Sequence, residues 1–191
     1  MCTSVKKLRF ATVADMGTSM PPIKRVRLPV TTLDWHGLDV DSLSIFEPLV
    51  LPQLTSLEMC EGCGASLFCL YEHSKFSLHS LCLVFFHLPL PEFSAFLRSM
   101  PSLTSLELRM SLPISTELLE LLTYDALKPL LPRLERLTLC DHAQSHGDCV
   151  MLNMVESRWR TTPLTDVRIY TTRGAFVKTD VRTARRAILD R

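Results

Sequence analysis

Four soft ligands stand close together near the middle of the chain. Cys60-Glu61-Gly62-Cys63, followed by Cys69 and His73, reads C-x2-C-x5-C-x3-H. Three thiolates and an imidazole at such spacing could wrap a tetrahedral zinc ion. The ordinary alternative is that the thiols are packing and loop cysteines. Cys69 falls between Leu67 and Leu70 on a segment of helical apolar spacing, and Cys60 has a counterpart, Cys140, at the same place in a later copy of its phrase. The expectation is therefore no metal, with Cys60, Cys63, Cys69 and His73 as the candidate ligands if one is bound.

A second polar group, Asp141, His142, His146, Asp148 and Cys149, has residue types that bind metals or move protons. Turns before a helix carry the same types for ordinary reasons, and that is the reading taken here. Glu117, Glu120 and Asp125 could pair carboxylates along one helix, but they fall on its polar flank. The sequence contains no G-x-S-x-G, H-E-x-x-H, G-x-x-x-x-G-K-[ST] or G-x-G-x-x-G. The expectation is a protein that is not an enzyme and carries no cofactor.

Composition narrows the partners. The 191 residues hold 21 Lys and Arg against 20 Asp and Glu, a net charge of +1. So even a balance gives no field to gather phosphates or anionic lipid, so neither nucleic acid nor membrane is the expected partner. The segment from Arg173 to Arg191 is basic, with a modest stripe of Val181, Ala184 and Ile188. It reads as a solvated tail or a helix capping the end of the fold. No apolar run reaches the ~18 residues needed to span a bilayer. The opening residues have positive charge but no run of signal-peptide length, and the 7 cysteines are an odd number. An intracellular, reducing compartment, cytoplasm or nucleus, follows.

What must position any site is a repeat. Leucine supplies 34 of the 191 residues, and the string L-x-x-L-x-L recurs as Leu54-Leu57-Met59, Leu78-Leu81-Leu83, Leu103-Leu106-Leu108 and Leu134-Leu137-Leu139. Val30-Leu33-Trp35 and Leu164-Val167-Ile169 keep it with conservative changes, and Val5-Leu8-Phe10 would be a seventh copy. The first positions of the six lie at 30, 54, 78, 103, 134 and 164, giving intervals of 24, 24, 25, 31 and 30. The last two apolar residues of each string are two apart, so they share one side of a short strand. Pro52, Pro101 and Pro132 each stand two residues before the first leucine and fix the turn leading in.

Between strands the apolar spacing becomes helical. Phe93, Phe96, Leu97 and Met100 follow Pro91; Leu118, Leu119, Leu122, Ala126 and Leu130 follow Ser115; Met151, Met154, Val155 and Trp159 follow Asp148; Leu67, Leu70 and Tyr71 form a shorter set. Each unit reads strand, turn, helix, return. The expected fold is α/β: a leucine-rich-repeat solenoid, a right-handed superhelix with parallel strands on the concave face and helices on the convex face. It should occupy residues 30–172, between an irregular segment or partial first repeat over 1–29 and the basic tail over 173–191. The Asn or Cys that normally follows the strand is replaced by Leu38, Gly62, Phe86, Ser111, His142 and Thr172, so irregular turns are expected on that side. Ile23, Val26 and Leu28 also read as a strand, too close to Val30 for a full turn.

The residues between the strand leucines point away from the core. They form three rows that start at Thr32, Asp34 and His36 and continue through Ser56-Glu58-Cys60, Ser80-Cys82-Val84, Ser105-Glu107-Arg109, Arg136-Thr138-Cys140 and Asp166-Arg168-Tyr170. A strip of alternating charge with a few aromatic and cationic anchors suits a protein ligand. Asp34, His36, Glu58, Glu107, Arg109, Arg136, Arg168 and Tyr170 are the candidate contact residues; a generic hydrated surface is the alternative.

The succession Arg25-Val26-Arg27-Leu28-Pro29, Leu33-Asp34-Trp35, Leu-Pro-Gln-Leu-Thr-Ser-Leu from Leu51, Leu-Pro-Arg-Leu-Glu-Arg-Leu-Thr-Leu from Leu131 and Met154-Val155-Glu156-Ser157-Arg158-Trp159 resembles the large F-box/leucine-rich-repeat families of mushroom-forming fungi. The resemblance covers roughly residues 23–170, and the Met-Val-Glu-Ser-Arg-Trp helix is its most particular piece. It implies the substrate-recognition subunit of a cullin-RING ubiquitin ligase, in which the F-box docks the adaptor and the repeats hold the target. The F-box itself has no counterpart in this sequence, which opens inside what resembles the repeat region. Adaptor binding is therefore expected only if an F-box is present in the full-length gene. A repeat scaffold without a ligase role, or a truncated gene product, is the alternative.

Overall fold

The computed structural model describes residues 6–12, 24–37, 46–87, 89–109, 114–141 and 148–171. Its main sheet has seven strands: β1 (Lys7–Thr12), β3 (Thr32–Gly37), β5 (Ser56–Cys63), β6 (Ser80–His87), β7 (Ser105–Arg109), β8 (Arg136–Asp141) and β9 (Asp166–Thr171). They lie side by side in that same order, and every pairing between them is parallel. Among the described residues four helices lie in the connections: α1 (Gly64–Ser74), α2 (Leu90–Arg98), α3 (Thr116–Leu122) and α4 (Asp148–Trp159). The fold is α/β, with a main parallel sheet built in chain order.

Register follows the leucines. Leu8, Leu33, Leu57, Leu81, Leu106, Leu137 and Val167 pair in one row, and Phe10, Trp35, Met59, Leu83, Leu108, Leu139 and Ile169 in the next. From Leu33 to Val167 the first row is buried, as are Trp35, Met59, Leu83, Leu108 and Leu139 in the second, all within one continuous core. A one-residue slip of any strand would turn its leucines to water, each costing about 1.5–3 kcal/mol. The helices close the core from the same side. Phe93, Phe96 and Leu97 of α2, and Leu118, Leu119 and Leu122 of α3, are buried at helical spacing. Tyr71 of α1 stacks edge-on against Phe96 of α2, with centroids 5.5 Å apart, and joins neighbouring helices.

The prolines act where the repeat phrase places them. Leu54 N–H donates to Leu51 O (3.2 Å), Leu103 N–H to Met100 O (3.1 Å) and Leu134 N–H to Leu131 O (3.2 Å). Each is the closing bond of a four-residue turn with proline second, the position its fixed φ suits.

Several details differ from the sequence reading. The α3 helix ends at Leu122, short of Ala126 and Leu130. There the Thr123 hydroxyl donates back to Leu119 O, and Asp125 Oδ1 accepts from Leu127 N–H, so the backbone turns off before Pro129. The β5 and β6 strands run on to Cys63 and His87 where a turn was expected, pairing Gly62 with Phe86. The strand legible around Val26 is β2 (Val26–Arg27), which pairs not with the main sheet but with β4 (Leu49–Val50) in a separate two-stranded sheet. That resolves the crowding before Val30. Asp148 and Cys149 begin α4; most of the His142–His146 cluster and the whole basic segment from Arg173 lie outside the described residues. Among the described residues no helix is long and apolar enough to cross a membrane.

Candidate binding strip and its supports

The outward residues stack as predicted. Lys7, Thr32, Ser56, Ser80, Ser105, Arg136 and Asp166 pair in one row; Arg9, Asp34, Glu58, Cys82, Glu107, Thr138 and Arg168 in the second; Ala11, His36, Cys60, Val84, Arg109, Cys140 and Tyr170 in the third. All eight candidate contact residues therefore fall on one face of one sheet. His36, Arg109, Arg136 and Arg168 are exposed, while Glu58, Glu107 and Tyr170 are half-buried.

Most of the charge on this strip is already paired. Asp34 is only 5% exposed because Lys7 and Arg9 of the added strand β1 fold over it, at 2.8 and 3.2 Å. Burial pushes its carboxyl up, but the hydrogen bonds and charges of Lys7 and Arg9 outweigh that and hold it below the ordinary 3.8. Asp34 thus ties down the edge strand and offers little to a partner. Arg109 Nε donates to Glu107 Oε1 (2.6 Å), and Arg168 pairs with Asp166 (2.7 Å), each two residues apart on one strand face. Arg136 makes no ion pair among the described residues. Cys82 and Cys140 lie between these charges; burial, with Glu107 nearby, pushes the Cys82 thiol up to about 12, and burial raises that of Cys140 as well. Both stay neutral thiols at ordinary pH.

The zinc candidate is split. Cys60 lies on the outward strip in mid-strand, and Cys63 ends the same strand in extended backbone. Cys69 and His73 lie one turn apart on α1, Sγ 3.9 Å from Nδ1. The His73 Nε2 faces Arg25 Nη2 at 3.0 Å, a cation where a metal ligand would need an open position. Among the described residues the one group of three metal-ligating side chains is instead His36, Glu58 and Cys60.

Two supports were missed in the sequence. The first is a hydroxyl ladder on the lead-in side of the strands. Thr31 Oγ1 donates to Lys6 O, Thr55 to Thr31 O, Thr104 to His79 O and Thr165 to Glu135 O, at 3.0–3.2 Å. It ties strand to preceding strand at four junctions; at the β5–β6 and β7–β8 junctions His79 and Glu135 take the threonine's place and backbone N–H groups alone make the link. The signal was the threonine directly after the first leucine in Leu-Thr-Ser-Leu.

The second is Arg158. This side chain is fully buried, with its guanidinium donating to Leu122 O, to Leu130 O at 3.0 Å and to Leu131 O at 3.3 Å. Its neighbour Ser157 accepts from Tyr124 N–H (3.0 Å) and donates to Met154 O (2.7 Å). The Glu-Ser-Arg-Trp end of α4 therefore clamps the irregular stretch between α3 and β8, where the repeat lengthens to 31 residues. Burial lowers the Arg158 pKa to about 10, still charged at neutral pH.

No protein-family model, no curated protein and no solved structure matches this chain significantly.

Proposed function

We propose that this chain is a leucine-rich-repeat solenoid, its parallel strands on the concave side of a right-handed superhelix and its helices on the convex side, which binds a protein target through the strip of outward strand residues. The observation that carries the reading is the register. Three unbroken rows of solvent-side residues run across seven strands, and a surface fixed by backbone pairing can present side chains to a partner without reordering the chain. Exposed Arg136 and His36, the paired Glu107–Arg109 and Asp166–Arg168, and Tyr170 give it polar and aromatic anchors. Such a mosaic matches another protein's surface better than a uniform phosphate backbone. It acts by binding, with no reaction of its own.

The resemblance to fungal F-box/leucine-rich-repeat proteins extends the reading to the recognition region of an intracellular ubiquitin-ligase subunit. On that reading the strip holds the substrate, and the ligase adaptor is reached only through an F-box on the full-length protein. The Arg158 clamp supports the likeness physically. The most particular motif of the resemblance is one that holds a repeat boundary together, so it would persist while strip residues drift with the target.

Affinity capture tests both halves. The chain is expressed with and without an added upstream F-box. The F-box form should bring down the adaptor and both forms the same target, and Glu107→Ala, Arg109→Ala and Arg168→Ala together should lose the target while keeping the adaptor. Target capture unchanged in the triple variant removes the strip from the reading. Target capture without any adaptor in the F-box form leaves a repeat scaffold without a ligase role.

A further inference from the structure

On the outward strip, β3 and β5 bring together three donors of different chemistry. His36 and Cys60 are direct partners across the parallel pair, and Glu58 stands two residues before Cys60 on the same face. One ligand atom from each of the three lies within 4.8 Å of the others. We propose that His36, Glu58 and Cys60 form a binding site for a borderline divalent cation of the zinc type, with three protein ligands and the fourth position open to water.

The surroundings favour a cation there. The strip has four carboxylates, and three are matched by cations: Asp34 by Lys7 and Arg9, Glu107 by Arg109, Asp166 by Arg168. Glu58 forms no ion pair among the described residues, and the His36 ring makes no hydrogen bond among them. The neighbouring thiol of Cys82 pairs in register with Glu58 but lies outside the three-donor group.

Ligand type selects the ion. Magnesium and calcium take oxygen donors, whereas a thiolate with an imidazole suits zinc and its spectroscopic substitute cobalt(II). Tetrahedral zinc places such donors about 3.3–3.6 Å apart, so the side chains close by about 1 Å on a backbone that need not move. Binding displaces the Cys60 thiol proton to solvent. With thiolate, carboxylate and neutral imidazole the loaded site carries no net charge. The ion would bridge two neighbouring repeats on the face proposed to meet a partner. The site rests on the sheet geometry alone and stands whether or not that partner exists.

The test uses the reduced, metal-stripped full chain, loaded with zinc and desalted for elemental analysis, and titrated with cobalt(II) for absorbance. About one zinc per chain is expected, with a thiolate-to-cobalt charge-transfer band and a rise in melting temperature on loading. Cys60→Ser and His36→Gln should each weaken binding at least tenfold, and Cys60→Ser should abolish the band. Cys69→Ser and His73→Gln should change neither. Unloaded melting temperatures matching wild type show that the variants fold, since all the substituted ligands are outside the core. Less than ~0.1 zinc per chain at saturation, retention of zinc by Cys60→Ser, or loss of it in Cys69→Ser would overturn the assignment.

Discussion

The Arg158 guanidinium is buried against three carbonyl oxygens and, among the described residues, no carboxylate, so its value lies in what its removal would leave behind. Truncation strands those buried acceptors, and each unsatisfied group costs about 1–3 kcal/mol. Arg158→Ala should therefore destabilise the chain by about 3–5 kcal/mol in urea melts. Arg158→Lys should recover little, because an ammonium lacks the planar fork that reaches three carbonyls. Arg160, exposed and paired with Glu156 one turn earlier, is the contrast: its alanine variant should fall within about 0.5 kcal/mol of wild type. Equal losses at the two positions would remove the clamp.

Two ionisable groups give opposite pH dependences. The folded carboxyl of Asp34 sits below 3.8, so its contribution is present above that pH and is lost as pH falls through the lower folded value. Asp34→Asn should flatten the acid limb of the stability curve. The folded Cys82 thiol is raised from 9.0 to about 12, so its contribution is present below 9.0 and disappears as pH rises toward 12. Cys82→Ala should remove that alkaline loss. Iodoacetamide at pH 8.5 should label folded Cys82 far more slowly than the unfolded chain.

At the scale of elements, strands were more legible than their supports. The i, i+3, i+5 leucines specify both the strand and its inward face, so β5 through β9 and their register could be read directly. Helix length was less legible. Apolar spacing continued through Ala126 and Leu130, but Thr123 and Asp125 offer the backbone local hydrogen bonds that compete with the helix, and α3 stops. The zinc spacing C-x2-C presumed a turn at Glu61-Gly62 that is extended strand, so sequence neighbours were separated and the cross-strand neighbours His36, Glu58 and Cys60 were grouped instead. Long-range pairing of that kind has no signature in local spacing.

The threonine ladder makes an element-scale prediction. Thr55→Val and Thr104→Val remove one inter-repeat hydrogen bond each at nearly constant volume, and each should cost about 0.5–1.5 kcal/mol. Leu106→Ala, in the buried row, should cost about 2–5 kcal/mol. Leu127→Ala, at 90% exposed, should cost nothing measurable.

For the molecule as a whole, stacking in chain order means that each strand is held by its two neighbours, and the outermost strands by one. Stability then rises from edge to centre. Amide hydrogen exchange should be slowest in β5, β6 and β7 and faster in β1 and β9; uniform protection would contradict a stack of semi-independent units. The same arrangement collects solvent-side residues from distant parts of the sequence onto one face and leaves the helices on the other. A photo-crosslinking residue at Glu107 or Arg168, on the strip, compared with one at exposed Glu92 on α2, addresses that division most directly. Crosslinks to a captured protein from the strand positions and none from Glu92 are the predicted result; crosslinks from Glu92 alone, with silent strand positions, would contradict a binding strip on the sheet.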